Sequence, residues 1–159
     1  MLDKFKITLV SSLVFFLTAC GGVSGPSLNV DNDFWFGSAG DVTVGLGFAQ
    51  SGSSVSAGLA YIDSGGRARA CCTLRGSLNG YTLLISDRNS SGDTLTLSAR
   101  FNSAGTRLTG TLTAVVDGRR VDNNVDMRYE SELSTRELPA LSDEVPMTIA
   151  ELAALIGTR

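Results

Sequence analysis

Residues 94–116 read Thr94-Leu95-Thr96-Leu97-Ser98-Ala99-Arg100-Phe101, then Asn102-Ser103-Ala104-Gly105-Thr106, then Arg107-Leu108-Thr109-Gly110-Thr111-Leu112-Thr113-Ala114-Val115-Val116. On both sides of the break at Asn102 to Gly105, apolar residues alternate with small or polar ones. Leu95, Leu97, Ala99 and Phe101 fall on one face, and Leu108, Leu112, Ala114 and Val116 continue it. Successive side chains of a strand point to opposite faces, so a period of two predicts two strands, each burying one face. The short polar break between them predicts that they pair antiparallel.

The same pattern extends in both directions. Val42, Val44, Leu46 and Phe48 share a face, as do Val55, Ala57, Leu59 and Tyr61, and finally Val121, Val125, Met127 and Tyr129. Turn residues separate these runs at Gln50-Ser51-Gly52-Ser53, Asp63-Ser64-Gly65-Gly66, Asn89-Ser90-Ser91-Gly92-Asp93 and Asp117-Gly118. With Phe34 to Phe36, 68–74 and 81–86 added, about eight strands result, at the regular spacing of an all-β domain. The expected fold is an eight-stranded antiparallel up-and-down barrel over 33–130, with a β-sandwich as the alternative. A membrane-spanning barrel shows the same period with opposite polarity, but most runs fall short of the roughly 9–11 residues such strands need. An apolar interior is therefore expected.

Beyond Glu130 the alternation stops, and the C-terminal segment 131–159 passes through Leu138-Pro139 and Val145-Pro146 to a different pattern. Thr148 and Glu151 have the spacing of a capping box. Ile149, Leu152, Leu155 and Ile156 then form an apolar stripe that predicts a helix over about 148–156, which Gly157 can terminate. So short a helix needs tertiary support, so it is expected to dock on the β body, with partner binding as the alternative.

At the other end, Met1-Leu2-Asp3-Lys4-Phe5-Lys6 precedes an uncharged, mostly apolar run from Ile7 to Ala19. This is the plan of a secretory signal, and the run is shorter than the roughly 20 residues of a spanning helix. It closes on Leu17-Thr18-Ala19-Cys20, which resembles the lipobox of bacterial lipoproteins. The resemblance implies removal of residues 1–19 and lipid attachment at Cys20, giving membrane association through several acyl chains. Gly21 follows the cysteine in place of the aspartate that holds many such proteins at the inner membrane, which favours the outer membrane, at its periplasmic or its surface face. Gly21-Gly22-Val23-Ser24-Gly25-Pro26-Ser27 has the composition of a tether, and 20–32 is expected to link lipid to domain.

Composition excludes several chemistries. The chain has no histidine, and its two lysines, Lys4 and Lys6, lie in the signal. Ser-His-Asp and Cys-His catalysis, histidine-ligated zinc and Schiff-base chemistry all lack an essential group. The formal charge is −3, and no basic footprint for nucleic acid is present. No cofactor and no catalytic residue is expected.

Cys71-Cys72 is the most unusual local feature. If the strand alternates, Cys72 joins Ala68, Ala70 and Leu74 on the apolar face, and Cys71 lies outside among Arg67, Arg69, Thr73 and Arg75. Guanidinium groups would favour the Cys71 thiolate, making it a candidate reactive thiol, and a bond between the two cysteines would require a distorted strand. Asp122, Asn124 and Asp126 mimic the start of a calcium loop, but Met127 stands where glycine is needed, and solvent-face alternation explains them. Asp31-Asn32-Asp33 reads as a turn. Gly45-Leu46-Gly47 lacks the third glycine of a dinucleotide motif. Trp35, Phe48, Tyr61, Phe101 and Tyr129 are candidates to line a cavity inside the barrel, with packing the alternative role for Trp35.

Three functions are consistent with these residues. The first is a non-enzymatic lipoprotein that binds a small apolar molecule or an envelope protein. The second is a packed barrel that serves envelope assembly, and the third a thiol-based enzyme. The body resembles small lipocalin-like lipoproteins in strand count and terminal helix, although Asp33-Phe34 precede Trp35 where that family has its Gly-x-Trp motif.

Overall fold

The computed structural model describes residues 28–130 and 145–157. Eight strands run β1 (Phe34–Ala39), β2 (Val42–Ser51), β3 (Ser54–Ile62), β4 (Ala68–Asn79), β5 (Thr82–Arg88), β6 (Thr94–Phe101), β7 (Arg107–Val116) and β8 (Arg119–Tyr129). Each pairs antiparallel with its sequence neighbours, and β1 closes on β8, so the sheet is a complete up-and-down barrel and not a sandwich. The β1–β8 seam pairs Trp35 with Tyr129 and Ala39 with Val125. Between β7 and β8 the chain reverses at Asp117-Gly118, both residues at positive φ. This is the turn whose twist matches that of paired strands.

The alternating residues point inward. Trp35, Leu46, Leu74, Leu83, Ile85, Leu95, Leu97, Phe101, Leu108, Leu112 and Met127 are all essentially inaccessible to solvent. The outer face of β7 and β8 carries Thr109, Thr111, Thr113, Asp122, Asn124 and Asp126, with Asp126 held by Arg107 at 2.8 Å and Asp122 by Arg120 at 2.7 Å. Five strands, β2, β3, β4, β7 and β8, run to nine residues or more, longer than expected from the sequence, so polarity and not length sets this wall apart: apolar inside and polar outside is the reverse of the alternation in a lipid-spanning barrel.

Both ends are covered. At one, residues 28–32 fold over the opening: Val30 is fully buried, its N–H donates to Gln50 Oε1 at 2.8 Å, and the Asn32 N–H donates to the Phe48 carbonyl at 3.0 Å. The packed body thus begins before Asp33, because Val30 supplies an apolar side chain that the barrel end needs. At the opposite end lies α1 (Ile149–Gly157). Its capping box forms as the spacing predicts: the Glu151 N–H donates to Thr148 Oγ1 at 3.1 Å, and the Thr148 N–H donates to the Glu151 carboxylate at 2.7 Å. The buried stripe is Ile149, Leu152, Ala153 and Ile156. Leu155, expected in that stripe, is instead exposed, since the i, i+3, i+4, i+7 positions counted from Ile149 pass it by. At the helix C-terminus, the buried Asn123 side chain donates to the Ile156 carbonyl at 2.9 Å.

The strand that meets α1 is itself irregular. Pairing of β4 with β5 runs only from Arg75↔Ser86 to Asn79↔Thr82, so residues 68–74 project past it. The chain entering α1 lies along that projecting edge, with the Met147 N–H donating to the Ala70 carbonyl at 2.7 Å and Arg69 Nε to the Val145 carbonyl at 3.1 Å.

Candidate functional site

Inward apolar residues explain the barrel but not the outer positions of β1 to β4. There Phe34 and Phe36 alternate with Trp35 and so face outward, opposite Gly47 and Gly45 of β2. A Cβ on Gly47 would lie 2.9 Å from the Phe34 ring, and one on Gly45 would lie 3.1 Å from the Phe36 ring. The two rings therefore sit over bare backbone, which shields a glycine pair that would otherwise weaken the strand. Beyond them the outward residues of β3 and β4 that line the surface are Ser56, Gly58, Ala60, Ile62, Ala68, Ala70 and Thr73, with Ile62 the one large apolar side chain among them. Large rings on one side and small residues on the other leave a mainly apolar groove of about 690 Å³, with Asn32 near one end and Pro146, just ahead of α1, near the other. That volume falls within the ~300–1,000 Å³ of small-molecule sites.

Cys71 and Cys72 also line this groove. The alternation expected for them fails, because the β3–β4 register shifts between Leu59 and Ala60: Leu59 faces Cys72 while Ala60 faces Ala70, and Cys71 has no partner across the ladder. A β-bulge of this kind lets two successive residues occupy the space of one. The two sulfurs are consequently 3.0 Å apart instead of on opposite faces, and both thiols are half-buried. The bulge also changes the face of the residues before it: Arg69 now pairs with the inward Tyr61, and Ala68 and Ala70 with the outward Ile62 and Ala60. Arg69 reaches α1, its guanidinium 3.7 Å from the Glu151 carboxylate.

The Cys71 thiol titrates below its ordinary value chiefly because the Cys72 S–H donates to it, against burial and the charges of Asp87 and Glu151. The arginines expected to activate it are not the cause. Cys72 is pushed strongly upward by giving that hydrogen bond, by burial and by the adjacent Cys71 charge.

The aromatic residues expected to line an interior cavity are placed as follows. Trp35 packs edge-on against Phe101, with ring centres 5.0 Å apart, and lies 5.7 Å from Tyr129, while Phe48 lies 6.2 Å from Phe101. These four form a cluster at the end covered by Val30. Tyr61 belongs to the opposite end, near the close of β3. Phe48 touches the outer groove, whereas Trp35, Tyr61, Phe101 and Tyr129 are not among its lining residues. The Trp35 indole N–H finds no acceptor among the described residues. The Tyr129 hydroxyl donates to Asp33, whose carboxyl is nevertheless raised, mainly by burial. Asp31, in the turn read at 31–33, accepts the Gln50 N–H at 3.0 Å. Residues 1–27, where the signal, Cys20 and most of the tether are expected, lie outside the described residues.

No protein-family model, no curated protein and no solved structure matches this chain.

Proposed function

We propose that this chain is a lipid-anchored, non-enzymatic protein of the bacterial outer membrane that binds a small apolar molecule in the groove outside β1–β4. The observation that carries the reading is the groove itself, an apolar recess of about 690 Å³ on a barrel wall that is otherwise largely polar. Its floor is glycine and alanine, so an elongated aliphatic group can lie against backbone with Phe34, Phe36 and Ile62 as side walls. Desolvating such a group contributes about 25 cal/mol per Å² of apolar area buried. The anchor rests on Leu17-Thr18-Ala19-Cys20, and the non-enzymatic reading on the lack of histidine throughout and of lysine beyond residue 6.

Gly58 provides the test, since a Cβ at that position meets nothing within 4 Å and a side chain there projects into the groove. Native mass spectrometry with organic extraction, on chain from Gly21 onward secreted by a bacterial host, is expected to show a bound apolar molecule that Gly58→Trp removes while the barrel stays folded. An empty protein, or a ligand retained by Gly58→Trp, overturns the assignment. The anchor is tested separately by incorporation of an alkyne-tagged fatty acid, which Cys20→Ala should abolish.

A further inference from the structure

The β-bulge in β4 supplies the distortion that a bond between adjacent cysteines requires. In a regular strand, neighbouring side chains point apart and no such bond closes. Here Cys71 is the extra residue, and its sulfur lies 3.0 Å from that of Cys72. We propose that Cys71 and Cys72 are a two-electron thiol pair that closes reversibly to a vicinal disulfide in the groove wall, with a small disulfide or disulfide oxidoreductase as the oxidant. The proposal rests on the bulge alone and holds whether or not the groove binds a ligand.

The order of events follows from the asymmetry of the pair. Cys71, relieved by the Cys72 S–H, is the better nucleophile and attacks one sulfur of the oxidant, whose other sulfur leaves as thiolate. Cys71 is then neutral, so the charge that held the Cys72 proton in place is gone. Cys72 gives that proton to solvent and attacks the Cys71 sulfur, expelling the second thiolate of the oxidant. The protein loses two electrons and two protons, and the oxidant becomes two thiols. A disulfide between chain neighbours is strained, and strained disulfides are the readily reduced ones, so a mild thiol should reopen it.

The whole chain is incubated with oxidised glutathione, quenched in acid, treated with a maleimide and digested with trypsin. The peptide from Ala70 to Arg75 carries both cysteines and neither of its termini depends on them. The expected result is a peptide lighter by two hydrogens with neither maleimide nor glutathione attached, restored by dithiothreitol. In Cys72→Ser the reaction should stop with glutathione on Cys71, and in Cys71→Ser glutathione should add to Cys72 severalfold more slowly. Persistent glutathione on the wild-type peptide, full maleimide labelling after oxidation, or a cross-link to Cys20 or to a second chain would each overturn the proposal. Unchanged circular dichroism of both serine variants keeps a loss of folding distinct from these outcomes.

Discussion

Gly110 shows how little latitude a barrel of eight strands leaves its backbone. It takes an inward position in β7 between Leu108 and Leu112, and a Cβ there would collide with the Ser98 carbonyl and the Ala99 Cα of β6. Gly37 meets the Asp126 carbonyl of β8 in the same way, and Gly76 meets the Leu84 carbonyl of β5. These are the bends at which a small sheet coils tightly enough to close. Gly110→Ala should therefore cost on the order of 3 kcal/mol, whereas Gly58→Ala, with open space around its Cβ, should change stability by less than about 0.5 kcal/mol. Urea unfolding of the two variants checks the difference, and equal effects would show that the inward glycines carry no closure constraint. At this scale the sequence was partly legible. Inward residues such as Leu95, Leu97 and Phe101 announce themselves by alternation, but Gly45 and Gly47 looked like an incomplete nucleotide motif when they are seats for Phe36 and Phe34. Nothing within β2 reveals which ring lies above it, since that is a property of the register with β1.

Elements were legible in proportion to how local their causes are. The capping box at Thr148 and Glu151 depends on four consecutive residues and formed as expected. The bulge at Cys71 depends on how β4 fits β3, and the same-parity Arg67, Arg69, Thr73 and Arg75 gave it the look of an uninterrupted strand. The groove required four strands to be aligned, each contributing two to four outward residues that are unremarkable alone. Glu151 gives the element scale its pH dependence. Its carboxyl titrates below the ordinary 4.5, held down first by the Thr148 N–H, then by the Thr148 hydroxyl and the Arg69 charge. A carboxyl depressed in the folded state contributes stability that is present above its unfolded pKa and lost as pH falls through the folded one. Helix docking should accordingly weaken below pH 4.5, and Glu151→Gln, which keeps an acceptor but cannot titrate, should flatten that part of the melting-temperature profile. A wild-type profile matching that of the variant would refute the role given to this carboxylate.

For the whole molecule, the up-and-down order pairs strands that are neighbours in sequence and leaves closure to one seam, β1 with β8. The covers at the two ends then isolate the core from water. Residues 28–32 are as much a part of that cover as α1, because Val30 is fully buried above the aromatic cluster of Trp35, Phe48 and Phe101. A chain that starts at Asp33 should lose about 2 kcal/mol relative to one that starts at Leu28, the value of burying one valine. It should also gain fluorescence from a dye that binds exposed apolar surface. Equal stability of the two would return 28–32 to the tether.

The seam has a mechanical consequence. β1 leaves the barrel at the same end as residues 28–32 and is held along its length by β2 on one side and β8 on the other. Tension applied at the N-terminus and resisted at α1, on the far end, acts largely along that strand, which tilts from the barrel axis by roughly 35–45° as in any closed barrel. Both ladders are then loaded in shear, all rungs together, and do not unzip one rung at a time. A domain towed by its leading end would first shed the short cover at 28–32 and then meet its greatest resistance, with the barrel wall still closed behind it.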